Sequence, residues 1–268
     1  MTTLKVFQAS SNQKNLQQQG ARDVSRALLK NKQKQARTPM PNSTADTYII
    51  DGNITIFIGS HSKTFKQDIL YSSLLGHLVS NANSIASDVW LTSYKKNMGT
   101  LFWVTKSTAN QLLRKQPASI LKFAKPTLSN HFSATELKQI TDALDAIKTL
   151  PKDSDALAAL LNRIQHSNDS QPSANTVCPL LTVISANKTV ISLRPVFDTS
   201  HSVDITILDE ELAQKEVLNG PQISQWLTYL VEEKYASVRN KVIEKLGSKI
   251  TTHLHHLATP EPTTPGDV

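Results

Sequence analysis

Two β-rich runs, Tyr48-Ile49-Ile50 and Ile54-Thr55-Ile56-Phe57-Ile58, flank Asp51-Gly52-Asn53. An Asp-Gly pair takes the left-handed conformations that a tight hairpin turn requires, so this stretch predicts a β-hairpin. A chain committed to a hairpin near its first apolar segment must bury that hairpin on helices or on further strands.

Beyond the hairpin the apolar pattern alternates in period. Thr64 and Gln67 fit a capping box, and Ile69, Leu70, Leu74, Leu75, Leu78 and Val79 recur at helical spacing after it. Val89-Trp90-Leu91 and Leu101-Phe102-Trp103-Val104 read as the strands of a second hairpin, with Tyr94-Lys95-Lys96-Asn97 at its tip. A short helix is expected from Thr108 to Pro117, which gives the order ββα-ββα. Ser133 with Glu136 caps a helix carrying Leu137, Ile140, Leu144 and Ile147, which Pro151 stops. Asp153 or Ser154 opens another, with Leu157, Leu160, Leu161 and Ile164 on one face.

A polar stretch at residues 167–176 marks a linker or long loop. Beyond it, strands are expected around Leu181–Ile184, Thr189–Leu193 and Val203–Leu208. Asp209-Glu210-Glu211 suits a helix N-terminus. Pro221 then suits the first turn of a long C-terminal helix, with Ile223, Trp226, Leu227, Leu230, Val231, Val238, Val242 and Leu246 as its apolar stripe. The expected organisation is an arm at 1–45, a ββα-ββα block with a helical hairpin at 46–166, the linker, three strands and two helices at 177–258, and a Pro/Thr-rich disordered tail at 259–268. Strands arriving in pairs between helices predict an α+β fold with mostly antiparallel hairpins.

Charge divides the chain unevenly. Residues 1–42 hold eight basic residues against the single acid Asp23, whereas the remainder holds 21 basic and 21 acidic residues. The net charge of +7 therefore belongs to the arm, and the body is formally neutral. The arm is rich in Gln, Asn and Ser and lacks the apolar surface needed to offset ordering entropy, so disorder is expected. Arg22, Arg26, Lys30, Lys32, Lys34 and Arg37 are its candidate contacts to phosphates or to a partner. A solubilising tail and the leader of an exported bacterial effector are the other readings of the same composition.

The remaining motifs exclude more than they offer. Gly59-Ser60-His61-Ser62-Lys63-Thr64 matches a phosphate-binding loop only in its Lys-Thr pair and strand–helix context, and a capped turn explains it equally. His253, His255 and His256 cluster without a cysteine or carboxylate within one helical turn, so no metal is expected. Neither a cofactor motif nor a nucleophile elbow occurs. Cys178, the single cysteine, lies in an apolar run and reads as a small buried hydrophobe of a reducing compartment such as the cytoplasm. No apolar run reaches the ~18 residues of a membrane span.

The richest segment is Trp90, Tyr94, Phe102 and Trp103 with Lys95 and Lys96 among them. Tyr94, Lys95 and Lys96 are candidate binding residues, since aromatics beside lysines stack bases or anchor proteins. Core filling by the aromatics is the plainer explanation. Together these features predict a non-enzymatic assembly or interaction protein: a neutral body making protein or homo-oligomer contacts, with an arm that tethers nucleic acid or a neighbouring subunit. An exported effector and an enzyme whose site leaves no sequence mark are the alternatives.

Overall fold

The computed structural model describes residues 45–83, 85–86, 88–167 and 174–257. The basic arm and the C-terminal tail, with the binding roles assigned to Arg22, Arg26, Lys30, Lys32, Lys34 and Arg37, lie outside the described residues. The fold is α+β, built on one mixed, mostly antiparallel sheet.

Strand β1 (Asp46–Ile50) turns through Asp51-Gly52 into β2 (Asn53–Phe57), with Ile50 opposite Asn53. Both turn residues have positive φ, 47° and 78°, as a two-residue hairpin loop demands. Gly52 also sits against a helix, where a Cβ would meet the Ala159 carbonyl oxygen at 2.3 Å. The expected hairpin is therefore present. Helix α1 (Lys63–Ser80) comes next, capped by the Ser62 side chain, which accepts from the Phe65 amide. The expected Thr64–Gln67 box is displaced by this earlier cap.

The second expected hairpin does not form. Trp90 and Leu91 belong to helix α2 (Asp88–Thr100), and only Trp103 onward is extended, as β3 (Trp103–Leu112). A three-residue apolar run has no period of its own; here Trp90, Leu91, Tyr94 and Met98 form a helical stripe against α1. Phe102, at φ 65°, makes the reversal from α2 into β3. The helix expected after Thr108 is instead the second half of β3.

Helices α3 (Ile120–Ser129), α4 (Ala134–Lys148) and α5 (Asp155–Ile164) come next. The Ser133–Glu136 capping box opens α4 as the sequence predicts, and Ser154, one of the two expected starts, caps α5. Short strands β4 (Gln165–Ser167) and β5 (Asn175–Val177) pair with each other. Then come β6 (Leu181–Ile184) and a long β7 (Val190–Thr199). Residues 203–208, expected as a strand, include a short 3-10 turn at Ile205–Leu208 that the Asp204 side chain caps.

The expected long C-terminal helix begins as a strand and is helical only in its later part. Its first half is β8 (Gln222–Leu230), inserted between β3 and β7. Ile223, Trp226, Leu227 and Leu230 fit helical spacing, but this β-branched and aromatic stretch is claimed by strand partners on both sides. Helical structure resumes only in α6 (Glu232–Ala236), α7 (Arg239–Leu246) and α8 (Lys249–His253). The final strand, β9 (Leu254–Leu257), pairs with β1.

The main strand order is β3-β8-β7-β6-β2-β1-β9, and among the described residues only the β2–β6 pair is parallel. Two apolar layers cover the two faces. Ile54, Ile56, Leu181, Val183, Ile191 and Leu193 pack with α3, α4 and α5. Phe57, Ile184, Val190, Trp226 and Leu230 pack with α1, α2 and α7.

Candidate functional site

The sheet ends at β3, which pairs with β8 along one side; among the described residues no strand occupies its other side. Nine of its ten residues are exposed, from Val104 to Leu112, and the Leu112 side chain is 79% accessible. A bulge between Thr105 and Ser107 is its one irregularity. A free edge presents unpaired amides and carbonyls that another strand can complete. Lys106 is the only charge on β3, and its Nζ lies 5.1 Å from the Tyr229 ring centroid.

Under α1 and α2, a run of buried polar side chains interrupts the apolar packing of the sheet face. Residues paired across adjacent strands share a face. The register Thr55–Thr182–Ser192–Trp226 thus makes a row, and Asn53, Arg194, Ser224 and Thr228 lie two positions away on the same face. All eight are buried. Thr182 and Ser192 hydroxyls are 3.2 Å apart. Thr105, Thr182, Ser192 and Thr228 of the sheet, with Ser73, Tyr94, Lys95 and Trp226, line a cavity of about 20 Å³. Lys95 Nζ lies 4.6 Å from the Trp226 ring centroid. Burial first, and the Arg194 charge second, push the Lys95 ammonium below its ordinary value.

Deeper in the same layer lies a cationic aromatic cluster. Trp90 and Tyr94 stack nearly parallel at 5.1 Å, and the Arg163 guanidinium sits 4.5 Å from the Trp90 centroid, with Arg194 at 5.7 Å. Asn81 is the hub: its Oδ1 accepts from Trp90 Nε1 and Arg163 Nη1, both at 3.0 Å, while its Nδ2 donates to Asp51. Arg194 Nη2 donates to the Ile85 carbonyl at 2.9 Å. Asn53 Nδ2 donates to His77 Nδ1 at 2.9 Å, which leaves the ring proton on Nε2. Burial, aided by the Arg163 charge, pushes His77 down to about 3, so it is neutral at physiological pH. Cys178 is buried, and burial raises its thiol above the ordinary value, the condition of an inert cysteine.

Of the sequence-predicted binding residues, Tyr94, Lys95 and Lys96 sit on α2 and not at a hairpin tip. Tyr94 is buried in the aromatic stack, Lys95 lines the cavity, and Lys96 is exposed to solvent. Their partners Trp226, Thr228 and Ser192 come from β7 and β8, more than 90 residues away, and no local pattern announces them. His253 and His256 face Asp51 and Asp46, at 3.2 Å and 2.7 Å. Lys63 is exposed at the start of α1. Among the described residues no group of histidine, cysteine or carboxylate side chains has the geometry of a metal site, and no helix is long and apolar enough to cross a membrane.

No protein-family model matches this chain, and no curated protein matches it. Solved structures overlap it weakly. The Evf virulence factor aligns at 10% identity and a TM-score of 0.37, over 76% of this chain and 85% of its own. The activated Cyt2Ba monomer from Bacillus thuringiensis subsp. israelensis aligns at 10% identity and 0.38, over 66% and 95%. A delta-endotoxin aligns at 10% identity and 0.38, over 67% and 80%.

Proposed function

We propose that this chain is a non-enzymatic interaction protein that assembles with a second copy of itself through the free edge of its sheet. The observation that carries this reading is β3, ten residues long, exposed from Val104 to Leu112 and with one side unpaired among the described residues. An isolated edge of this length invites uncontrolled pairing, and Lys106 is its only charged guard. A second β3, laid antiparallel, would complete the ladder and continue the sheet through a two-fold interface.

A like partner suits the chemistry of the strand. Val104, Thr105, Ser107, Thr108, Ala109, Asn110 and Gln111 carry no charge. Antiparallel pairing about Thr108 sets Lys106 opposite Asn110 and so avoids opposing lysines. Outside residues 1–42 the formal charge is zero, so two bodies approach without net repulsion. The arm, with its excess of seven positive charges, would then double in number on the assembly and serve as a tether for nucleic acid. Light scattering of the full chain tests the self-association, and a charged variant of β3 tests its location. Oligonucleotide binding across a salt series tests the arm.

A further inference from the structure

We propose that the cavity lined by Lys95 and Trp226 binds a single anion of halide size. The centre of a water-sized sphere has about 20 Å³ to move in there, which leaves room for one monatomic ion.

The lining offers hydroxyl donors and a cation. Ser73, Thr105, Thr182, Ser192 and Thr228 line it, Thr182 and Ser192 already sharing a hydrogen bond, and among the described residues no carboxylate lines the cavity. Thr228 is 5% exposed, and its Oγ1 is buried with no hydrogen-bond partner among the described residues. A buried hydroxyl left unsatisfied is costly, and a species in the cavity would relieve it.

Charge decides between water and an anion. Lys66, Lys148 and Lys188 each hold a carboxylate within 3 Å. Lys95 makes no such ion pair among the described residues and rests on Trp226 instead. Arg194 stands behind it, close enough for its charge to bear on the ammonium. Water would satisfy Thr228 but would leave the Lys95 ammonium without a counter-charge in a half-buried setting. A chloride accepts from hydroxyls and offsets the ammonium as well.

The test uses the full chain at constant ionic strength, with chloride exchanged stepwise for gluconate and the melting temperature recorded. The expected result is a saturable rise with chloride. Lys95→Gln and Thr228→Val, each checked for folding by circular dichroism, should abolish the rise, and Lys95→Arg should keep part of it. Crystals soaked in bromide should show anomalous density in the cavity. A wild-type melting temperature indifferent to the exchange would overturn the proposal, as would a rise that Lys95→Gln leaves intact. Bromide density without a chloride-dependent rise would mark an adventitious ion only, and would also defeat it.

Discussion

Arg239 grips Asp68 through two hydrogen bonds of 2.7 Å, Nε to Oδ1 and Nη2 to Oδ2, across 171 residues of sequence. The carboxylate is 1% exposed and the guanidinium is partly open to solvent. The pair ties α7 to α1, and so fixes the C-terminal helices over one face of the sheet. Arg239→Ala strands a buried charge and should cost about 2–3 kcal/mol, below the figure for a wholly buried pair because water can reach the vacated side. Urea unfolding measures it. The double variant Asp68→Ala/Arg239→Ala should be less destabilised than the sum of its parts.

Gly52 combines a φ of 78° with contact against α5, where an added Cβ would stand 2.4 Å from Arg163 Cβ and 2.3 Å from a backbone oxygen. Neither atom is the free end of a side chain. Gly52→Ala should therefore destabilise by more than the ~1–2 kcal/mol of left-handed strain alone. Thermal unfolding read beside Gly99→Ala, where a Cβ would meet nothing within 4 Å, separates the local clash from any general effect of the substitution.

His77 governs part of the acid response. Its folded value of about 3 lies below the ordinary 6.5, so between these limits the unfolded chain binds the extra proton. Stability contributed by neutral His77 is complete above pH 6.5 and declines as pH falls, by up to about 1.4 kcal/mol per pH unit until the folded group itself titrates. Burial depresses His61 and His166 in the same direction and adds to the slope. His77→Gln, which retains an acceptor for Asn53, should flatten the stability profile between about pH 6.5 and 4. An unchanged slope would assign the acid response to other groups.

The parts of this fold legible in sequence are those whose determinants are local. Asp51-Gly52 names its own turn, and Ser133 with Glu136 and Ser154 name their own helix starts, because a cap or a positive φ is settled within four residues. β8 was not legible. Ile223, Trp226, Leu227 and Leu230 satisfy helical spacing, and only the presence of β7 on one side and β3 on the other makes the segment extended. Val89-Trp90-Leu91 failed for the same reason in reverse, as a short apolar run that α1 recruits into a helix. At the candidate site, Tyr94 and Lys95 stood out as an aromatic–lysine pair. Trp226, Thr228 and Arg194 did not, since their meeting with α2 depends on the sheet order.

The central claim is that copies of this chain meet along β3. Lysines at Thr108 and Asn110, joined to the native Lys106, would set like charges opposite one another across an antiparallel pair while leaving the exposed side chains of a single chain free to reach water. Multi-angle light scattering of wild-type protein over a concentration series, beside Thr108→Lys/Asn110→Lys, is the direct measurement. The account predicts a wild-type mass rising to twice the 29.6 kDa of one chain, and a variant that stays monomeric with an unaltered circular dichroism spectrum. A wild-type protein that remains monomeric at the highest concentration, or a variant that dimerises equally well, would contradict it.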